Sequence, residues 1–126
     1  MKKIYILLLF VLSGLLLNAE SNPKYMWIDC EANYQRMGSV DSIRFYLNKI
    51  KEIGFTDVVM DVKSIMGEVL YKSKIAPFMG EWDGHYRDCD FDMMEVVLKE
   101  GKKLGLKIHA SLNIFAGGHN FYNRGV

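Results

Sequence analysis

The chain alternates β-prone and helix-prone segments, and this alternation limits its architecture more than any other feature. Tyr25–Asp29 is a short run of β-forming residues that ends in an acid. Ile43, Tyr46, Leu47, Ile50 and Ile53 then recur at the spacing of one helical face, while Arg44, Asn48, Lys51 and Glu52 fall elsewhere. Ser39 suits the N-cap of that helix, and Gly54 suits its left-handed C-terminal stop. Thr56–Lys63, with a β-branched centre, reads as a second strand. Asp90 is placed to cap a second helix running to about Leu104, with Met94, Val97, Leu98 and Gly101 as its buried stripe. Lys107–Phe115 reads as a third strand. Between the second strand and the second helix lies Ser64–Asp90, a long connection containing Tyr71, Trp82 and Tyr86. Connections of this length are usually functional or disordered, and the aromatic content argues against disorder.

Strands that alternate with helices imply right-handed crossovers and a parallel sheet. Such sheets bury both faces, and two helices on three strands leave one face bare. The 126 residues also fall well short of the roughly 250 in a complete barrel. The expected fold class is therefore α/β: an incomplete (β/α)8 TIM barrel made of its first three strands and two helices. The alternative is a small self-contained three-layer domain.

The N-terminus places Lys2 and Lys3 before an apolar run from Ile4 to Leu17, followed by Asn18-Ala19. This is the pattern of a secretory signal peptide, expected over residues 1–19, with the folded part over 20–126. The run is shorter than the roughly 20 residues that span a bilayer, so no membrane span is expected once the signal is removed. The chain is expected to be exported, to the periplasm or the extracellular space. Sixteen Lys and Arg against 15 Asp and Glu give a net charge of +1, which excludes the basic footprint of a nucleic-acid binder. In an oxidising compartment Cys30 and Cys89 either pair or remain two unpaired thiols.

The chemistry lies in the parity of the strands. Val58, Met60 and Val62 occupy one face of the second strand, and Val59, Asp61 and Lys63 the other. In the third strand Ile108, Ala110 and Leu112 oppose His109, Ser111 and Asn113. Asp61, Lys63, His109, Ser111 and Asn113 thus share one parity and are expected at a common rim. A rim ion pair between Asp61 and Lys63 and a hydrogen-bonded core His109 are the purely structural alternatives. No dinucleotide, phosphate-binding or serine-nucleophile motif is present. No cofactor is expected, and no metal site, because His85, His109 and His119 lack ligand spacing.

Met26-Trp27-Ile28-Asp29, Asp61-Val62-Lys63, the stretch Gly67–Lys74, Phe91-Asp92-Met93-Met94 and Lys107–Asn113 stand in the order seen in the glycosyl hydrolase-like 10 family. The sequence resembles that family from Tyr25 to about Phe115, departing at Lys72, where the family often has Pro. The resemblance implies an exported bacterial protein related to TIM-barrel glycosidases, with a carbohydrate substrate and hydrolysis of a glycosidic bond. That reaction uses two carboxyl groups about 5–5.5 Å or 6.5–9.5 Å apart. In many such enzymes they come from later strands, so the catalytic acids are unassigned. On this resemblance Asp61 is an ionisable group at the mouth, Lys63 orients a carboxylate, and His109 and Asn113 bind sugar hydroxyls. Tyr71 and Trp82 are candidates for stacking on a sugar ring. The alternatives are a non-catalytic glycan-binding protein and an inactive fragment.

Overall fold

A computed structural model describes residues 22–88 and 90–125. The expected leader and Cys89, and with it the Cys30–Cys89 pairing, lie outside the described residues. The elements run β1 (Tyr25–Ile28), α1 (Val40–Ile53), β2 (Asp57–Lys63), β3 (Glu81–Trp82), β4 (His85–Tyr86), α2 (Met93–Lys103), β5 (Lys107–Leu112), β6 (Gly118–His119), a 3-10 turn (Asn120–Tyr122) and β7 (Arg124–Gly125).

Local chemistry sets the helix ends. The Ser39 side chain accepts from the Ser42 amide at 3.2 Å and starts α1. Gly54 stops it in a left-handed conformation, φ 96°, donating its amide to the carbonyls of Ile50 and Lys51. The cap of α2 is Asp92 rather than Asp90. Its Oδ1 accepts from the Met94 and Glu95 amides at 2.9 and 3.1 Å, and its Oδ2 accepts from the Lys72 amide at 2.9 Å. Local sequence rules do not separate two acids two residues apart, and the bond from the Lys72 amide adds a tertiary contact that Asp92 alone makes.

Three parallel strands form one sheet in the order β1-β2-β5. Ile28, Val58, Met60 and Val62 are buried with Ile43, Leu47 and Ile50 of α1 and Met93 and Val97 of α2, so both helices cover the same face. On the other face Tyr25 and Trp27 are more than half exposed. The long connection also feeds the core: Met66, Val69, Leu70 and Met79 are buried. Its later part folds into the β3–β4 hairpin, turned by Asp83 and Gly84 at φ 50° and 77°. β6 and β7 form a second antiparallel pair.

This corrects the expected fold class. The described residues form a three-stranded parallel sheet with helices on one face and two short antiparallel pairs; no barrel is evident among them. Three short strands whose successive crossovers both fall on one side produce an open two-layer unit. The second half of the long connection spends its residues on a hairpin instead of a further parallel strand.

Leu47 has no exposed surface, and a Cβ at Gly101 would lie 2.7 and 2.8 Å from Cδ1 and Cγ1 of Ile108. Chemical denaturation should therefore register a loss of about 2–5 kcal/mol for Leu47→Ala. Gly101→Ala should cost about 1–3 kcal/mol, because α2 must back away from β5.

Candidate functional site

In open α/β sheets ligands bind beyond the carboxyl ends of the strands. Here that end carries Asp29, Cys30 and Glu31 after β1, and Asp61 near the end of β2. Cys30 is buried and its thiol donates to Glu31 Oε2 at 2.7 Å; Glu31 Oε1 accepts from the Ile65 amide at 3.0 Å. Asp29 Oδ1 accepts from the Ala32 amide at 2.7 Å, which shapes the chain leaving β1. Cys30 Sγ and carboxylate oxygens of Glu31 and Asp61 all lie within 4.8 Å of one another. Burial, then the charges of Glu31 and Asp29, push the Asp61 carboxyl up to about 6, against a hydrogen bond from Ser111 that pulls it down. Burial chiefly, with Glu31, raises the Cys30 thiol well above its ordinary value. This donor set is compatible in spacing with a divalent cation, and close acidic groups of this kind also share protons. Sequence reading missed it because Cys30 and Glu31 follow β1 at no motif spacing from Asp61.

Of the residues expected at one rim, Asp61 and Ser111 meet, as paired positions on β2 and β5. Lys63 makes no ion pair with Asp61. Its Nζ donates to the carbonyls of Asn113, Ile114 and Ala116 at 2.9, 3.1 and 2.7 Å, tying down the chain after β5. Asn113 enters this contact through its backbone. His109 sits beside Val59, nearer the amino end of the sheet. There its Nε2 lies 2.7 Å from Oδ1 of Asp57, and its ring is 5.6 Å from that of Tyr25. Asp57 is 2% exposed; the Thr56 hydroxyl, then His109, hold its carboxyl below the usual range. Tyr71 is half-buried and packed against the core.

From Glu31 a cleft leads away between the chain before α1 and the β3–β4 hairpin. One part, about 560 Å³, is bordered by Glu31, Arg36, Tyr46, Trp82 and Asp83. A neighbouring part, about 550 Å³, reaches Ser39, Tyr86, Arg87 and Asp88. The Tyr34 hydroxyl donates to the Met79 carbonyl at 2.9 Å, fixing the floor, and burial raises its pKa. The Arg87 guanidinium stacks 4.2 Å over the Tyr34 ring and donates through Nη2 to the Tyr34 carbonyl. Its Nε and Nη1 are buried without a hydrogen-bond partner, and burial lowers its pKa. The Trp82 ring lies 5.0 Å from that of Tyr122, and beside them Arg124 pairs with Glu68 and Glu81 at 2.8 and 2.9 Å. The Asp83-Gly84 dipeptide was the one local signal for this hairpin, and hence for the cleft.

No family model matches the chain. The resemblance to the glycosyl hydrolase-like 10 family, and with it the glycoside hydrolase-like family label and the TIM-barrel assignment, is corrected by the open three-stranded sheet and by a relative that does match, which is named an S-layer-related protein. The chain is 33% identical over 99 residues to an S-layer-related protein of Niallia circulans. The match covers 74% of this chain and about 6% of the relative's length. That relationship agrees with a protein exported or held at the cell surface. No helix among the described residues is long and apolar enough to cross a membrane.

A carboxyl that titrates near 6 when folded, against 3.8 ordinarily, contributes stability below about pH 4 that is lost as the pH rises through 6. Asp61→Asn lacks this loss. Its Tm should exceed that of the wild type by a few degrees at pH 7, with the difference shrinking at pH 4; calorimetric scans at both pH values test this.

Proposed function

We propose that this chain is a non-catalytic glycan-binding module that acts on the extracellular side of the cell surface. The observation that carries the reading is the cleft between α1 and the β3–β4 hairpin, where Trp82 and Tyr46 border the same space as Gln35, Arg36 and Asp83. A sugar presents apolar C–H faces and a rim of hydroxyls. Aromatic rings take the first, and amide, guanidinium and carboxylate groups take the second, the mixture typical of small-molecule sites. The near-neutral charge of the chain suits an uncharged ligand. The S-layer-related name of the relative supports the cell-surface placement.

A second reading, hydrolysis of a glycosidic bond, is favoured by one observation. Glu31 and Asp61 carry oxygens within 4.8 Å of each other, and Asp61 is pushed up to about 6, toward the range of a general acid. The hydrogen bonds to Glu31 weigh against it, because the Cys30 thiol and the Ile65 amide already take its two carboxylate oxygens.

Affinity electrophoresis through gels containing single polysaccharides separates the two. Retardation without release of reducing ends is the expected result. Release of reducing ends that is lost in Asp61→Asn establishes the second reading, and free migration in every gel overturns the first. Trp82→Ala should weaken retention at least about tenfold, since removing a ring that covers a sugar face forfeits its apolar contact. Trp82→Phe, which keeps a ring against the core, should lose less.

A further inference from the structure

The parallel sheet ends in two edge strands, and they are not alike. β1 has four residues and follows Pro23, two features that blunt an edge. β5 has six residues, no proline, and a single lysine at its first position. It is last in the order β1-β2-β5, so the backbone groups on its outer side meet no strand among the described residues. The flank beside that edge is also uncovered. Ile108 lies against Gly101 of α2, but Ala110 and Leu112, which share its parity, are exposed, as is Leu98 of α2. An apolar groove of about 470 Å³ runs there, bordered by Leu98, Lys102, Gly105, Leu106, Lys107 and Ile108. No acid borders it, and neither Lys102 nor Lys107 makes an ion pair among the described residues.

We propose that the outer edge of β5 is a docking site for an extended segment of a partner protein, apolar along one side and carrying carboxylates at its ends, which joins the sheet as a fourth strand. An unpaired edge supplies main-chain hydrogen bonds, and the pockets beside it select side chains. Successive side chains of a strand point to opposite faces, so every second residue of the segment meets the flank of Ala110 and Leu112. An apolar side chain suits the groove. The two ammonium groups bordering it favour a carboxylate over an ammonium on the arriving chain. A second copy of this chain fits less well, because β5 has no carboxylate to offer those lysines. The groove shares no bordering residue with the glycan cleft, so the two readings stand or fall separately.

The test is titration of the full chain with three capped peptides of alternating valine and threonine. One has glutamates at both ends, one has lysines there instead, and one is the glutamate peptide interrupted by a central proline. The glutamate peptide should bind at least about tenfold more tightly than the lysine peptide at low salt, and the proline peptide should not bind. Hydrogen exchange read by mass spectrometry should show protection gained over residues 107–112. Lys102→Glu combined with Lys107→Glu should reverse the order of the two charged peptides. If reversal beside Asp57 unfolds the chain, Lys102→Gln with Lys107→Gln decides the same point, since both peptides should then bind equally. No binding of the glutamate peptide, equal binding of the proline peptide, protection confined to other segments, or an order unchanged in a folded variant overturns the proposal. So does a dimer of the peptide-free chain in which residues 107–112 are already protected, since the edge is then covered by a second copy.

Discussion

The structure depends on the one-sided burial of β2. Val58, Met60 and Val62 have 2% or less of their surface exposed, and all face α1 and α2. Each such side chain contributes roughly 1.5–3 kcal/mol relative to exposure, which fixes strand register because a one-residue slip would turn the whole set outward. Once register is fixed, α1 has one place to lie. The chain that leads into it, from Asp29 to Gly38, must then run across the carboxyl end of the sheet. The cleft is the space that remains between this connection and the β3–β4 hairpin.

The opposite parity of the same strands had to dispose of its polar groups, and it did so by three separate routes. Asp57 is satisfied low on the sheet by Thr56 and His109. Asp61 sits higher, held by Ser111 and opposed by the acids after β1. Lys63 turns to three backbone carbonyls, which places an ammonium where the chain after β5 would otherwise leave acceptors unpaired. Burial first, and then the negative charges of Glu31 and Asp29, make Asp61 hold its proton more strongly than an ordinary aspartate, and Lys63, turned to carbonyls, forms no ion pair with it.

Much of the secondary structure was legible because it is periodic. The apolar stripe of α1, its Ser39 cap and its Gly54 stop each follow from local rules, as does the alternation of β2. The site was less legible, for reasons visible in particular residues. Parity assigns a face but not a height, so His109 shared a face with Asp61 and yet sits level with Val59, beside Asp57. The register shifts between Asp61 and Lys63, which ends the alternation on which the placement of Lys63 relied. Two-residue strands such as β3 and β4 carry no period at all, and only their turn announced them. The motif resemblance failed at the level of architecture, since short strand-end segments recur wherever a polar group follows a parallel strand.

Arg124 has a bearing on the environment in which such a chain works. Its guanidinium grips Glu68 and Glu81 and so draws the β6–β7 hairpin, with Tyr122, onto Trp82. The grip is ionic and only partly shielded from water, so dissolved electrolyte loosens it where a greasy clasp would tighten. Where the ionic strength around it changes, the β6–β7 pair becomes a gauge of the medium, drawn in when ions are scarce and slackened when they abound.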